Sequence, residues 1–321
     1  MRDPFTAKFA FNPANRLSLG VEEEVWTVDP TSGLLVPGAL KAFANDEEAA
    51  RWPQCKPELP AQQIEAVTPI CRSVRSLERA LRRNAAMLHE IAHTYGFAIS
   101  RAPLPEKSFE IQVFPKPRYL EIERRFGERL RGAYVSGLHV HVGVGSPDEA
   151  LRVINACRIY LPVFLSISAR SSLFAGTQTS YKSYRYVKYR EMAGEVVPPY
   201  LTSWEYFTDI ARDRGFGEDP RMCWWAIRIS PHGTVELRIC DVQEDPKITL
   251  GIAALFRVLA RDAIGARAVA DYREVEIIER ELHRASAGVY DHVPFLERTI
   301  DVASKSVHHA EEIRYIQSLL S

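Results

Sequence analysis

The chain has 321 residues, 46% of them hydrophobic and 26% charged, enough apolar material for a sizeable core, so wholesale disorder is excluded. Forty-one Lys and Arg balance 41 Asp and Glu, so no global field draws the chain to nucleic acid or to an anionic membrane, and any electrostatic function is local. At about 150 residues per domain the length allows two domains. No internal repeat, low-complexity tract or Gly/Ser-rich linker interrupts the sequence, however, which predicts a single domain over 1–321.

No apolar run reads as approaching the roughly 20 residues of a membrane-spanning helix. The N-terminal MRDPFTAKFAFNPANR also lacks the apolar centre of a signal peptide, so a cytoplasmic location is expected. The five cysteines, Cys55, Cys71, Cys157, Cys223 and Cys240, show no Cys-x-x-Cys spacing and an odd count, and read as buried thiols rather than a disulfide framework.

In chain order, the first strand pattern is LSLGVEEEVWTVD (17–29), followed by QQIEAVTP (62–69), both rich in β-branched or apolar residues. Leu77, Leu81, Leu88, Ile91 and Tyr95 then recur at helical spacing, predicting a helix over 76–95 that Gly96 terminates. FAISRA (97–102) and YVSGLHVHVGV (134–144) read as strands. Ser146, with Pro147 in the first turn and Glu149 three residues on, opens a helix that runs into the 160s, where Pro162 is placed to kink it. CWWAIRIS (223–230) and TVELRIC (234–240) flank the turn residues Pro231, His232 and Gly233, an antiparallel hairpin. Asp245-Pro246 announces an apolar helix over 246–263, and amphipathic patterns near 271–285 and 293–318 add two more. Strands and helices do not alternate in βαβ order. The predicted fold is therefore α+β, a central, mainly antiparallel sheet with helices packed on one side.

Three successive carboxylates inside LGVEEEVW are costly in an apolar strand without partners. The two-residue period puts Glu22 and Glu24 on one face and Glu23 on the other. Glu58 precedes the second strand and Glu65 lies within it. In GLHVHVGV, His139 and His141 share one face opposite Leu138, Val140 and Val142, a recurrent metal-ligand spacing. In HGTVELRICD, Glu236, Arg238 and Cys240 alternate against Val235, Leu237 and Ile239. Singly, each has an ordinary reading: a solvated sheet edge, satisfied core imidazoles, a cross-strand ion pair. Four strands that each present acidic, His or Arg side chains on one face are not explained by burial, and together they read as a polar face that holds divalent cations. Carboxylates in excess, at most two imidazoles and no cysteine cluster suit Mg²⁺ or Mn²⁺. Such ions commonly bridge phosphates, yet no P-loop or Gly-x-Gly-x-x-Gly sequence is present, so metals and arginines would have to hold a nucleotide. YKSYRYVKYR (181–190) interleaves Tyr184 and other tyrosines with Arg185, Lys188 and Arg190 and could line an anion pocket, and Arg228 is a further phosphate or carboxylate candidate.

The strings LGVEEEVWTVDPTSGLLVP, IEAVTPIC, GLHVHVGV, SYKSYRY and WWAIRISPHGTVELRICD, in this order between about Leu17 and Leu259, resemble the glutamate–cysteine ligase type 2 family, carboxylate–amine ligases of the glutamine synthetase-like superfamily. The resemblance implies that Glu22, Glu24, Glu58, Glu65, His139 and Glu236 surround two or three Mg²⁺ ions on the phosphates of ATP. It also implies that Arg238 neutralises the transferred γ-phosphoryl group, with Glu236 beside it, and that His141, Tyr184, Arg185 and Arg228 bind substrate or phosphate. The implied chemistry is activation of a carboxylate, glutamate's γ-carboxylate in the type case, as an acyl phosphate, then attack by an amine such as that of cysteine. The implied partners are ATP and small amino-acid or amine substrates, with no nucleic acid or membrane and a homodimer left open. Segments 97–119 and 168–174 depart from the family pattern, and both fall toward the substrate side. Two alternatives remain at this level: a metallohydrolase built on His139 and His141, and a non-catalytic ATP-binding relative.

Overall fold

A computed structural model describes residues 4–130, 134–266, 273–304 and 309–320. Its strands are β1 (Leu19–Val28), β2 (Cys55–Pro57), β3 (Gln63–Val67), β4 (Ala98–Ser100), β5 (Gly137–Gly143), the two-residue pair β6 (Leu173–Phe174) and β7 (Thr177–Gln178), β8 (Ile227–Ser230) and β9 (Thr234–Asp241). Seven of them form one sheet in the order β2-β3-β1-β5-β9-β8, with β4 beside the end of β1. Every pairing is antiparallel. The predicted α+β class holds. The helices are α1 (Gly38–Ala42), α2 (Asp46–Ala50), α3 (Val74–Tyr95), α4 (Pro117–Leu130), α5 (Pro147–Cys157), α6 (Leu161–Ser168), α7 (Tyr184–Ala193), α8 (Trp204–Asp213), α9 (Pro246–Gly265), α10 (Val275–Ser286), α11 (Val293–Ser304) and α12 (Ala310–Gln317).

Local chemistry explains the main boundaries. Ser73 caps α3 with a reciprocal bond to Ser76, and Gly96 ends it in the left-handed conformation. Ser146 accepts from the Glu149 amide at the start of α5, as its spacing predicted. The predicted kink at Pro162 is a break: a 3₁₀ turn at Arg158–Tyr160 separates α5 from α6, whose first turn holds the proline. The pattern over 293–318 resolves into α11 and α12, with 305–308 outside the described residues. The pattern near 271–285 becomes α10, with 271 and 272 likewise outside.

The apolar face of the sheet carries Leu19, Val21, Leu138, Val140, Val142, Val235, Leu237 and Ile239, and α3, α5, α6 and α9 cover it in one continuous core. One expectation needs correction here. The helical stretch Pro147–Ser168 is, at 22 residues, long and apolar enough to cross a membrane. Most of it is buried inside the protein, so its apolar character is explained by packing under the sheet. All five cysteines are buried and unpaired, as predicted.

A second correction concerns Cys240. Between Leu138 and Val140 the β5–β9 register shifts, so that Leu138 faces Cys240 while Val140 faces Leu237. This bulge inverts the side-chain phase of β9 beyond Arg238. Ile239 and Cys240 therefore both enter the core, and Cys240 leaves the polar face on which strict alternation places it.

The turn joining β8 to β9 depends on Gly233, whose φ is +70° and whose missing Cβ would lie 2.2 Å from the Ala10 carbonyl oxygen. Gly233→Ala is expected to destabilise the fold by at least about 2 kcal/mol, from the left-handed backbone and the backbone clash together. Urea unfolding of the two proteins measures this directly.

Candidate active site

Register decides which polar side chains meet. Glu22 pairs with His139 across β1–β5, Glu24 with Glu65 across β1–β3, His141 with Glu236 across β5–β9, and Arg228 with Glu236 across β8–β9. Directly opposed residues of antiparallel strands project to the same side. All of these groups therefore stand on the face opposite α3, α5, α6 and α9, above a cleft of about 250 Å³. Glu23 points the other way, as its place in the period predicted; it is buried 4.0 Å from Arg101, and burial raises its pKa.

At the centre, the Glu22 carboxylate reaches His139 Nδ1 at 3.1 Å and His141 Nε2 at 3.3 Å. His139 Nε2 is 3.8 Å from Glu24, and its Nδ1 is 3.8 Å from Glu236. Glu24 accepts the Gly137 amide at 2.6 Å. Glu65 is bridged by Lys56, and Glu58 accepts from the Leu59 amide at 3.2 Å. Glu22, Glu65 and His139 present ligand atoms within 4.8 Å of one another, as do Glu22, His141 and Glu236.

The electrostatics divide this face in two. Burial and the neighbouring Glu58 charge push Glu24 up to about 7, against the pull of Arg185 and Arg238. Burial also raises Glu58. Here carboxylates outnumber cations. At the other end, burial is outweighed by Arg228 and Arg238, which hold Glu236 far below the ordinary carboxylate range. Burial and the adjacent Arg238 lower His139 to about 4, so its imidazole is neutral and able to act as a ligand. Despite burial, Glu236 and Glu22 raise His141, and the two imidazoles hold Glu22 well below the usual range.

The arginines differ in how far they are engaged. Arg228 grips both Glu236 oxygens, at 2.8 and 3.1 Å, and donates to the Arg221 and Cys223 carbonyls. Arg185 is buried and donates to the Ile239 and Arg238 carbonyls. Arg238 is paired with Glu236 and lies 3.5 Å from His139 Nδ1.

Tyr184 is not brought to the cleft. The 181–190 segment becomes helix α7 from Tyr184 onward, so Arg185, Tyr189 and Met192 at helical spacing line the cleft. Tyr184 lies on another side of α7, its ring against Phe174 and Tyr181. His141 is also set back from the cleft lining, its Nδ1 held by Thr234 Oγ1 at 2.8 Å.

Sequence reasoning missed Lys56 on β2 and His232 in the β8–β9 turn as cleft residues, and with them the opposite wall, to which Arg118, Tyr119, Ile122, Arg221 and Trp224 belong. A signal was present for part of it: Tyr119, Ile122, Phe126 and Leu130 fall at helical spacing after Pro117, the pattern of α4.

Solved structures that share this fold include ligases. A bifunctional glutathione synthetase from Pasteurella multocida superposes with a TM-score of 0.65 at 14% identity, over 96% of this chain and 47% of that one. A glutamate–cysteine ligase from Francisella tularensis, solved with AMP, gives 0.59 at 12% identity, over 98% and 83%. At such identities the likeness is one of fold. Among sequence relatives, a protein of Rubrobacter xylanophilus named "Putative glutamate–cysteine ligase 2-3" is 33% identical over 259 residues, covering 79% of this chain and 71% of its own length. "Putative glutamate–cysteine ligase 2-2" of Saccharopolyspora erythraea is 36% identical over 77% of this chain and 66% of its own. Residues 18–291 match glutamate-cysteine ligase family 2, and the chain belongs to that family.

Proposed function

We propose that the protein is an ATP-dependent carboxylate–amine ligase. It would activate an amino-acid carboxylate, with glutamate's γ-carboxylate the leading candidate, as an acyl phosphate, and join it to an amine, with cysteine the leading acceptor, releasing ADP and phosphate. The observation that carries this reading is the convergence of Glu22, Glu24, Glu58, Glu65 and His139 on one sheet face, with Arg238 fixed at its edge.

The donor set fits Mg²⁺ or Mn²⁺: carboxylates in excess, neutral imidazole and no thiolate. Glu22, Glu24, Glu58, Glu65 and His139 would hold the ions, since the crowded, cation-poor half of the face lies there. Glu236 has both oxygens engaged by Arg228 and Arg238, which favours a role in fixing Arg238 over one as a principal ligand. Bound Mg²⁺ would neutralise phosphate charge and polarise the γ-phosphoryl group. Arg238 would donate to the equatorial oxygens as charge spreads over them, so catalysis is electrostatic and positional rather than general-base work by one side chain. His139, flanked by Glu22 and Glu236, keeps these two halves in register.

The test is an ADP-release screen over pairs of proteinogenic amino acids, with mass spectrometry of the product. ADP formation is expected to require both a carboxylate substrate and Mg²⁺. Glu24→Ala should raise the Mg²⁺ concentration for half-maximal rate by about tenfold or more before it lowers the saturated rate. Metal-replete protein that binds no nucleotide in calorimetry overturns the proposal. Turnover of an amide or ester without ATP would point to hydrolysis at His139 and His141 instead, and ATP binding without substrate-dependent ADP release to a non-catalytic relative.

A further inference from the structure

The sheet-side arginines leave a gap in the ligase reading, on which this inference rests. A substrate whose one carboxylate reacts presents a second, non-reacting carboxylate that must be held elsewhere. Arg228 makes four hydrogen bonds within the protein, Arg185 is turned onto β9 carbonyls, and Arg238 faces Glu236 and His139.

The opposite wall is differently built. Arg118, from the first turn of α4, and Arg221 both face Asp219. Arg221 holds its oxygens through Nε at 2.7 Å and Nη2 at 2.9 Å. Arg118 Nε stays 3.5 Å away, outside good hydrogen-bond distance, and is buried without a hydrogen-bond partner. Two guanidiniums share one carboxylate, so a positive charge remains at the cleft. Their side chains keep 33% and 56% of their exposure, so a solute can reach them. Tyr119, Ile122 and Trp224 stand beside them and provide an apolar surface for methylene groups.

The placement of this pair is also fixed. Arg228 Nη1 donates to the Arg221 carbonyl at 3.0 Å while Nε and Nη2 of the same side chain hold Glu236. A single guanidinium thus ties the backbone of the outer wall to the phosphoryl side of the cleft.

We infer that Arg118 and Arg221, braced by Asp219, form the clamp for the non-reacting carboxylate of the substrate, and so determine specificity for an amino acid that carries a second carboxylate. A planar fork pair selects a carboxylate over its amide, because the amide offers one acceptor and no charge.

The test separates this inference from the ligase reading by measuring binding, not turnover. Calorimetry with L-glutamate and with its α-carboxamide is run on the Mg²⁺-loaded protein, alongside a separate titration of a non-hydrolysable ATP analogue. The wild type should bind glutamate and prefer it to the amide. Arg118→Gln and Arg221→Gln should each weaken glutamate binding by about 10- to 100-fold and abolish the preference, with nucleotide affinity unchanged within about twofold. Arg118→Lys should recover part of the loss, which guards against misfolding as the cause. Glutamate binding that is undiminished in the Gln variants, or wild-type protein that binds glutamate no better than the amide or not at all, overturns the clamp. Failure of the nucleotide titration strikes the ligase reading alone.

Discussion

Arg238→Ala is expected to lower kcat by about 10³-fold or more while changing the Kd for ATP by less than about tenfold. The argument rests on what Arg238 faces. It shares Glu236 with Arg228, which keeps both Glu236 oxygens when Arg238 is gone, so the buried carboxylate stays paired and the fold should tolerate the change. What is lost is a guanidinium at the edge of the metal-binding face, where charge develops during phosphoryl transfer. An interaction that strengthens only in the transition state appears in kcat and not in ground-state binding. Single-turnover ADP formation and nucleotide calorimetry on the two proteins make the comparison. A near-wild-type kcat would make Arg238 a structural partner of Glu236, and the transfer role would have to move to Arg228 or Arg185, both of which would first have to release their present partners.

Asp241→Ala should be the most damaging single change to stability among those considered, on the order of 4 kcal/mol, because it strands several buried donors at once. Asp241 is fully buried at the end of β9. One of its oxygens accepts the Arg170 amide at 2.9 Å and Ser171 Oγ at 2.7 Å, and the other accepts Ser183 Oγ at 2.9 Å. Ser171 Oγ in turn receives the Arg185 amide at 3.0 Å, and Ser183 caps α7. The carboxylate therefore fastens the 168–174 segment and the start of α7 to the sheet, and with them Arg185 and Tyr189 on the cleft wall. Asp241→Asn keeps the shape but loses an acceptor, so a smaller loss is expected, about 1–2 kcal/mol. Chemical denaturation of both variants ranks them. Equal, small losses would mean that Ser171 and Ser183 find other acceptors and that the hub is dispensable.

Asp241 and Cys240 mark where reading along the chain reaches its limit. Alternation in TVELRICD assigns Cys240 to the polar face, and so by the same rule turns Asp241 toward the core. The bulge opposite His139 reverses both. A bulge is a property of two paired strands, and neither strand's own pattern announces it. Tyr184 was misplaced for a related reason: basic and aromatic residues that alternate in YKSYRYVKYR carry no clear period, and only the Ser183 cap and packing against the sheet decide for a helix and hence for Arg185, Tyr189 and Met192 as the inward residues.

By itself, the sequence determined the faces. A period of two separates Glu22 and Glu24 from Glu23, and His139 and His141 from the valines, because an L-residue strand must alternate its side chains whatever it pairs with. Caps and turn residues at Gly96, Ser146, Gly233 and Asp245 likewise act through their own neighbours, so these boundaries are local and legible, whereas the Ser73 cap of α3 is seen only in the structure. The tertiary structure alone decided the neighbours. Strand order and register set Glu22 against His139 and Arg228 against Glu236, which engages one arginine and leaves others available. The α4 and 219–224 segments bring Arg118, Arg221 and Trp224 to a face whose strands come from both ends of the chain, β1 at Leu19–Val28 and β9 at Thr234–Asp241. Which charges are paired, and which remain to hold a substrate, depends on distances across the fold, and these no local pattern encodes.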